Sequence, residues 1–511
     1  MSSSQQTPHV SQDAERQPVI VGIGEFTNRS KALEDALEPL DLMERALRAA
    51  EQDAGGGLLS RLDSLDIVCE VSWPYHDAPK LLCERLGIDP ARKVYGPVGG
   101  ESPVRYLHEA ALRIARGESR VGALVGAEAQ YSVSAAQKQG VDLPWTPADT
   151  ETRILRGPDF LHRLAVAHGV ATPTNVYPFY ENAAQAAWGQ TPAEALQESG
   201  ELWSGYSAVA AANPHAWLKR EQSAEEIVTP TPDNRMIAWP YTKSMVANPL
   251  VNMGAGVIVT SVAEARRAGV PDERMVHIWG GAAANEPRDY LDRDSYVRSH
   301  AQEAVLKAAL AIVGGDASSF AMTELYSCFP IVPKMARRVL GLDSDAQMTS
   351  TGGLSFFGAP LNNYMTHAAC GLVRALRDAP GRTALLYGQG EYVTKHHALV
   401  LASKAAPAST LHENYSVQAQ ADAAMGDVPP LVLDYAGPAE IETFTVLYDR
   451  DGARTGVVIA RTPQGERLMA RVPGEDEQSL AVLLDTAASP VGRQGAVAKG
   501  GDGLLLWRAG A

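Results

Sequence analysis

The sequence predicts an α/β fold followed by a small all-β domain at the carboxyl end. Two passages alternate apolar strand-like runs with amphipathic helices, which is the pattern of a sheet covered by helices. Residues 429–511 instead alternate apolar and polar positions around Asp-Gly and Gln-Gly turns, which is typical of hairpins. Between the passages, residues 140–250 are rich in Trp, Tyr, Pro and Asn, and so long an irregular insertion is usually functional.

Size and charge limit the class of protein. The chain has 511 residues, of which 45% are apolar and 21% charged, enough for about three domains with ordinary cores. A formal charge of −15 argues against nonspecific nucleic-acid binding, which needs basic patches. Residues 1–17 are polar and predict a disordered lead-in rather than a secretion signal. No apolar run reaches the roughly 20 residues that span a bilayer, so we expect a cytoplasmic protein without a membrane span.

The cysteines are too few and too scattered for a disulfide framework. They are Cys69, Cys83, Cys328 and Cys370, and no CxxC pair exists among them. We therefore expect neither a structural zinc site nor any other metal, and no tightly bound cofactor.

Each passage can be divided into strands and helices by its periodicity. The first covers residues 18–270 and includes the insertion, and the second covers residues 271–405. A linker is predicted over 406–428, followed by about five short strands over 429–511, enough for a small barrel of the oligonucleotide/oligosaccharide-binding (OB) shape. The predicted strands of the two passages are PVIVGIGEF, LDSLDIVCEVS, RVGALVGAEAQ, GAGVIVTS, MVHIWGGAAAN, SSFAMTELYSCF and RTALLYGQGEYVTKHHALVLAS.

Several stretches together resemble the thiolase superfamily, especially its sterol-carrier-protein-like and type-1 thiolase-like branches. RYLHEAALRIARGESRVGALVGAEAQYS is similar to the thiolase nucleophile helix and the strand after it. ELYSCF (324–329) resembles the His-Asp-Cys-Phe motif, TGGLSFFGAPLNNY the Asn-x-x-Gly-Gly and Gly-His-Pro motifs, and YGQGEYVTKH the last Cys-x-Gly loop. The resemblance covers roughly residues 18–405. It implies a thiolase-like duplicated α/β fold of five layers, with the OB-like barrel added at the carboxyl end.

The resemblance fails at the catalytic residues. In thiolases a cysteine on the first helix takes the acyl group from coenzyme A, a histidine activates it, and a late cysteine moves the substrate proton. Carried over by position, these residues fall at Gly100, at Ala359, and near Ala384 or Tyr387. None of them is a thiol or an imidazole, so ordinary thiolase chemistry is not expected.

Four other residues are candidate catalytic groups. Cys328 is the one cysteine in a motif-like position, and Tyr326 beside it could hydrogen-bond a substrate carbonyl. His367 could replace the lost histidine, and His396 could act as a base at the end of the last glycine loop. Each also has an ordinary structural interpretation, as a buried small residue or a satisfied core histidine.

The candidate substrate-binding residues flank the same motifs. Ser102 followed by Pro103 predicts a hydroxyl N-cap with proline at the first helical position. Glycines at these turns would let a ligand approach the backbone, asparagine amides could donate to an oxyanion, and a lysine could meet a phosphate. The candidates are Gly100, Ser102, Asn362, Asn363, Gly388, Gly390 and Lys395.

Three functions remain open from the sequence. The leading hypothesis is a thiolase-like acyl-CoA acyltransferase of lipid metabolism with non-standard catalytic residues. The alternatives are a retro-aldol lyase acting on a β-hydroxyacyl-CoA, which needs no covalent acyl carrier, and a non-catalytic subunit that binds acyl-CoA. The substrate would be an acyl thioester of coenzyme A or of a carrier protein. The resemblance also implies a homodimer, because thiolase halves pair through an edge strand.

Overall fold

The computed structural model describes residues 14–407, 410–450, 452 and 454–510. Within these residues it confirms a duplicated α/β body with a small carboxyl-terminal barrel. Most of the lead-in predicted over residues 1–17 lies outside the described residues, and Ala14–Arg16 form a short 3-10 turn. No helix of the described ranges is long and apolar enough to cross a membrane.

The first half alternates strands and helices as the sequence predicts. Its elements before the insertion are β1 (Pro18–Thr27), α1 (Pro39–Asp53), β2 (Ser64–Ile67), α2 (Ala78–Leu86), β3 (Arg92–Tyr95), α3 (Ser102–Ala115), β4 (Val121–Glu128) and α4 (Gln130–Gln139). The insertion contributes α5 (Arg163–Ala167), α6 (Pro173–Ala187), α7 (Pro192–Ala212), α8 (Ala224–Val228), β5 (Met236–Ala238) and β6 (Tyr241–Thr242). The half closes with β7 (Met253–Ser261) and α9 (Val262–Arg267).

The second half repeats this plan with fewer strands. Its elements are β8 (Val276–Asn285), α10 (His300–Ile312), β9 (Phe320–Leu325), α11 (Ile331–Leu340), α12 (Tyr364–Arg377), β10 (Thr383–Gly390) and β11 (Lys395–Ala402). A short helix, α13 (Gln418–Ala424), lies in the segment predicted as a linker and packs against α10 and β8.

The strand order shows the duplication directly. The sheet runs β3-β2-β4-β7-β1-β8-β11-β10-β9. In the first half β1 pairs antiparallel with β7, β7 antiparallel with β4, and β4 parallel with β2. The second half repeats these relationships through β8, β11, β10 and β9. The two halves meet along a two-residue contact between β1 and β8.

The helices form three layers around the two halves of the sheet. The outer helices are α1, which packs on β1, β7 and β4, and α10, which packs on β8 and β11. Helices α3 and α12 contact each other and strands of both halves, so they form the central layer. Their residues are buried on nearly all sides, as expected for helices with no solvent-facing surface. The five layers place the start of α3 between the halves.

The last five strands close into a barrel. They are β12 (Gly437–Tyr448), β13 (Arg454–Arg461), β14 (Arg467–Val472), β15 (Gln494–Lys499) and β16 (Leu505–Ala509), with α14 (Glu477–Leu483) between β14 and β15. The ring β12-β13-β14-β16-β15 returns to β12, with β14 and β16 parallel. This order and the helix position confirm the OB-like prediction.

The barrel packs against the body through buried apolar side chains and hydrogen bonds. Val457, Ile459 and Met469 face outward from the barrel and join the core of the body. The buried guanidinium of Arg467 donates hydrogen bonds to the carbonyl oxygens of Leu291 and Arg293. Both faces of β13 and β14 are therefore buried, one inside the barrel and one against the insertion and second half.

Candidate active site

The motifs that resemble thiolase catalytic loops converge at the start of α3. The backbone amide of Gly99 donates to the Asn362 side-chain oxygen at 3.0 Å, which joins the glycine turn to the segment after the Gly-Ala-Pro turn. A β-carbon on Gly100 would lie 2.5 Å from the hydroxyl oxygen of Tyr326 and closer still to the Gln389 carbonyl oxygen. Segments more than 200 residues apart in sequence thus meet at one point.

This geometry explains why glycine stands at position 100. No side chain fits there unless Tyr326 or the end of β10 moves, because real β-carbons essentially never approach other atoms so closely. The position that the resemblance gives to the thiolase nucleophile is therefore occupied by a phenol from the second half.

The turn into α3 differs from the predicted cap. The prediction that Ser102 is the N-cap is wrong, because Glu101 precedes the helix with helical dihedrals and Ser102 is the first helical residue. The hydroxyl of Ser102 is buried and donates a long hydrogen bond of 3.4 Å to the Pro97 carbonyl oxygen. Within the described part of the chain, this bond holds the serine in the turn.

Cys328 lies at this point but its thiol is not activated. Its sulfur is 4.0 Å from the Gln389 side-chain oxygen, and the residue is 8% exposed. Burial raises the pKa of the thiol to about 12. Because the thiolate is the nucleophilic form, Cys328 is a poor acyl acceptor at neutral pH.

Gln389 and Tyr177 form a polar pair that sequence reasoning missed. The Gln389 amide and the Tyr177 hydroxyl are hydrogen-bonded at 2.9–3.1 Å, and the Tyr177 ring stacks on Phe329 at 4.3 Å. Tyr177 belongs to the insertion and Gln389 to β10, so the pair joins the insertion to the site. Only the GQG loop within YGQGEYVTKH pointed toward this position.

The residue facing Gly100 from β10 is Gln389 rather than either position carried over from thiolases. Ala384 lies five residues earlier, roughly 16 Å back along the strand. The Tyr387 hydroxyl instead lies 2.7 Å from the His396 ring nitrogen and accepts from Gln302 on α10. Neither carried-over position contacts Gly100, since Gln389 lies two residues after Tyr387 and five after Ala384.

The glycines of β10 allow its close approach to α3. A β-carbon on Gly388 would press against Val104 and the Glu101 backbone, and one on Gly390 would collide with the Glu101 carboxylate. Lys395 links the turn before α3 to the turn after β10. Its ammonium group donates to the Val98 carbonyl oxygen at 2.9 Å and pairs with Glu391 at 3.0 Å.

The two asparagines are engaged by the backbone. Asn362 donates to the Cys69 carbonyl oxygen at 2.8 Å while accepting from Gly99. Asn363 donates to the Gly126 carbonyl oxygen at 2.6 Å and accepts from Thr366. Both side chains thus brace the turn, and each bond uses one of the two N–H groups of its amide.

The two histidines are buried and bound by other groups. His367 on α12 is held by Glu25 of β1 at 2.6 Å, and its other ring nitrogen has no partner among the described residues. Burial raises the pKa of Glu25. The His367 hydrogen bond and the neighbouring positive charges outweigh this effect and lower the pKa to about 2. Burial lowers the pKa of His396 to about 4, so this imidazole is neutral and structural.

Backbone strain is concentrated around the site. Among the described residues, the non-glycine residues with positive φ are Leu361, Glu391 and Val393, at 42°, 58° and 56°. Leu361 precedes Asn362, and the other two lie in the turn directly after Gly390. Such conformations cost on the order of 1–3 kcal/mol each and persist where the surroundings enforce them, commonly at functional sites.

A large cavity lies on the side of the insertion, and its wall is joined to the candidate site by one backbone hydrogen bond. It has a volume of about 1040 Å³ and lies between the insertion and the Gly353–Phe357 turn. Tyr131, Trp217, Leu218, Ala247, Leu250 and Phe356 line its apolar part, and Arg220 and Lys243 contribute positive charge. The Ala247 amide donates to the Cys328 carbonyl oxygen at 3.1 Å, so the cavity wall continues into the Tyr326–Cys328 segment.

Comparisons with known proteins agree with this architecture. Residues 417–502 match the family model described as the thiolase-like protein type 1 additional C-terminal domain. Among the curated proteins compared, none matches this chain.

Solved structures cover almost the whole chain. The crystal structure of a monomeric SCP2-thiolase like protein type 1 from Mycobacterium smegmatis is 30% identical, with a TM-score of 0.81, covering 97% of this chain and 99% of that one. The Ltp2-ChsH2(DUF35) aldolase is 18% identical with a TM-score of 0.59, covering 76% of this chain and 98% of that one. Human mitochondrial 3-ketoacyl-CoA thiolase is 16% identical with a TM-score of 0.55, covering 76% and 100%.

The last two likenesses show the fold alone, and they confirm that the body is thiolase-like. The first is sufficiently similar over its full length to show the family. This chain belongs to the SCP2-thiolase-like proteins of type 1.

Proposed function

We propose that this protein binds an acyl-CoA thioester and cleaves a carbon–carbon bond next to the thioester by a retro-aldol reaction, without a covalent acyl-enzyme. The observation that carries the proposal is the Tyr326 hydroxyl, which fills the space of the missing nucleophile at Gly100. A phenol in that position suits a hydrogen bond to a thioester oxygen and cannot serve as an acyl carrier in the way a cysteine does.

The chemistry of the two side chains favours this reaction over acyl transfer. Burial raises the pKa of the Cys328 thiol to about 12, so a transferase would have to work with almost no thiolate. Burial also raises the pKa of Tyr326 well above its usual value of 10, which keeps the phenol protonated as a donor. Retro-aldol cleavage needs such a donor for the enolate oxygen and a base for the β-hydroxyl proton.

The strained turns support a working site rather than a vestigial one. The left-handed Val393 is a β-branched residue, for which this conformation is a genuine outlier. If this turn had no function, glycine at positions 391 and 393 would relieve the backbone strain and stabilise the protein. The strained residues instead lie in two segments next to the Gly100–Tyr326 contact, Leu361 before Asn362 and the pair Glu391 and Val393 after Gly390.

The ligand class follows from the cavity and from the related structures. The human thiolase of this fold has also been solved in complex with CoA, and another protein of the fold is an aldolase. The cavity offers an apolar wall for an acyl or pantetheine chain, and its polar part carries Arg220 and Lys243 together with Glu225, Glu226 and Asp233. A carrier-protein thioester would place the same chain in the same cavity.

We further propose that the chain acts as a monomer rather than the homodimer implied by the thiolase resemblance. The 30% identical relative is described as monomeric. The edge strand β3 has only four residues, and Lys93 on it pairs with Asp89. Short, charged edges of this kind discourage pairing between sheets. Light scattering during size-exclusion chromatography tests this, and a mass twice that of the 54.5 kDa chain would contradict it.

The reaction can be tested with a β-hydroxyacyl-CoA. We expect release of a carbonyl compound and a shorter acyl-CoA, measured by chromatography and mass spectrometry. Tyr326→Phe should lower the rate about 10²–10³-fold, the usual effect of removing one donor to a developing oxyanion. Tyr448→Phe, a half-buried tyrosine of the barrel, is the matched control and should leave the rate unchanged.

Two outcomes would overturn the proposal. Acid-stable labelling by radiolabelled acyl-CoA, lost in Cys328→Ala, would establish transfer through that thiol. Binding of acyl-CoA without cleavage of any β-hydroxyacyl-CoA in a chain-length series would leave a non-catalytic binding protein.

A further inference from the structure

Glu101 is an unexplained carboxyl group at the same site. It is the residue between Gly100 and the first residue of α3, and it is only 8% exposed. One of its oxygens, Oε2, is buried and has no hydrogen-bond partner among the described residues. Burying a carboxyl group without a partner is costly, so the arrangement calls for a reason.

The surrounding backbone leaves a space that only this carboxyl group fills. A β-carbon on Gly99 would lie 2.5–2.6 Å from the two carboxyl oxygens of Glu101. One on Gly390 would overlap Oε2 even more severely. Glycines on two different segments therefore hold the carboxyl group in place, one residue from the point where the Tyr326 hydroxyl stands.

We propose that Glu101 is the catalytic base and acid of the cleft, paired with the Tyr326 hydroxyl as the oxyanion donor; this inference rests on the proposed function. The two groups come from different halves of the body, and they lie against neighbouring glycines, Tyr326 at Gly100 and the Glu101 carboxyl group at Gly99 and Gly390. Glu101 belongs to the first half and Tyr326 to the second.

The step balances without any further reactant. The Glu101 carboxylate takes the proton of the substrate β-hydroxyl, whose O–H electron pair forms the new carbonyl double bond. The Cα–Cβ bond breaks and its electron pair forms the enolate, whose oxygen accepts a hydrogen bond from Tyr326. The proton on Glu101 then returns to Cα, which gives the shorter acyl thioester and regenerates the carboxylate.

Other charged groups around Glu101 bear on its protonation. Burial raises its pKa, the charges of Lys395 and Arg105 lower it, and Glu391 raises it again. The raising effect of burial dominates, so the carboxyl group is a stronger base than an exposed glutamate. This matches a group that must take up a proton and release it within one turnover.

The inference can be tested without knowing the physiological substrate. A base next to a bound thioester should exchange the Cα hydrogens of propionyl-CoA for deuterium in D₂O, which proton NMR measures directly. Glu101→Gln keeps the size of the side chain and removes the base, and we expect exchange to fall at least about 100-fold. Glu109→Gln on the same helix is the matched control, since that carboxylate is partly exposed and lies two turns away.

The experiment separates this inference from the proposed function. Exchange and cleavage that persist in Glu101→Gln would overturn the role of Glu101 and leave the proposed reaction standing. Loss of both in Tyr326→Phe and Glu101→Gln, with propionyl-CoA binding retained by calorimetry, would support both. Absence of binding and cleavage in the unsubstituted chain would overturn the proposed function itself.

A second measurement does not depend on the folding of a variant. The exchange rate of the unsubstituted protein should rise with pH through an apparent pKa above 4.5, the usual glutamate value. The groups that could also contribute to this profile are Lys395, Arg105, Glu391 and Tyr326. A rate that does not change between about pH 4 and pH 8 would overturn the inference.

Discussion

The hydroxyl oxygen of Tyr326 stands 2.5 Å from the place that a β-carbon on Gly100 would occupy. The thiolase resemblance gives that place to the nucleophile of the first half. Tyr326 comes from the second half, and the glycine is what permits the contact. A phenol therefore stands at the Gly100 position.

Substitution of Gly100 should be more harmful than substitution of a comparable glycine in the same half. Gly100→Ala forces a methyl group onto Tyr326 and the Gln389 carbonyl, and overpacking of this kind costs about 1–3 kcal/mol in the free energy of unfolding. Gly122→Ala on β4 is the control, because its nearest neighbour would be 3.9 Å away. Urea unfolding of both variants measures the difference in unfolding free energy. Equal free energies would show that Tyr326 moves aside at little cost.

Restoring the thiolase residue should not restore thiolase chemistry. Gly100→Cys would carry the same clash. It would meet no activating histidine, since Ala359 stands at the position carried over for that residue, and burial keeps the nearby Cys328 thiol protonated. We expect no covalent acyl adduct by mass spectrometry after incubation with acetyl-CoA. A stoichiometric adduct on residue 100 would mean that the cleft still activates a thiol.

The four thiols should be unreactive in the native protein. All four cysteines are buried, and burial raises the pKa of each thiol, to about 11 for Cys69 and about 12 for Cys328. We expect almost no reaction with a thiol reagent near pH 8 on a scale of minutes, and four reactive thiols in concentrated urea. Rapid native labelling of Cys328, located by peptide mapping, would contradict the buried position.

Stability should fall with acidification because of a buried histidine pair. The rings of His108 and His397 are 2.9 Å apart between nitrogens, and burial lowers the pKa of His108 to about 3 and that of His397 well below 6.5. Since unfolding returns these groups to about 6.5, the unfolded state binds more protons below that pH. Each histidine then costs up to about 1.4 kcal/mol per pH unit as the pH falls from 6.5 toward 3.

His108→Gln tests this contribution. We expect the variant to have a shallower loss of unfolding free energy between pH 7 and pH 5 than the unsubstituted protein, measured by urea titration. His76→Gln, which removes an exposed imidazole, should leave the slope unchanged. Parallel slopes in all three proteins would show that the pair opens to solvent.

A buried carboxyl group should produce the opposite dependence at higher pH. Burial, with a contribution from the Glu128 charge, raises the pKa of Glu70 to about 8, and neither carboxyl oxygen has a partner among the described residues. The folded state therefore binds more protons than the unfolded state between about 4.5 and 8. Stability from this group is present below 4.5 and is lost as the pH rises, by up to about 1.4 kcal/mol per unit.

Glu70→Gln should accordingly stabilise the protein near pH 8 and have little effect near pH 5. Glu128, whose pKa burial raises to about 7, retains part of the pH dependence in the variant. Glu84→Gln on the exposed face of α2 is the control and should change neither value. A variant less stable at pH 8 than the unsubstituted protein would mean that Glu70 is ionised and paired.

Local pattern was enough to predict the order of elements. The apolar runs of β1, β4 and β10 and the amphipathic repeat of α3 were recognisable because each depends on residues a few positions apart. The barrel followed from its turn chemistry, and the absence of a cysteine at 100 was visible directly. The error of one residue at the Ser102 cap arose where tertiary contacts set the boundary of the helix.

By itself, the sequence determined the thiolase-like architecture and the added barrel, and it places glycine at position 100 and alanine at position 359. Only the tertiary structure decided what surrounds Gly100, because its neighbours come from segments far apart in the chain. Tyr177 and Gln389, 212 residues apart, bond to each other, and Tyr326 reaches across to Gly100. Periodicity carries no information on such distances, whereas close packing in the central layer sets them to within a few tenths of an ångström.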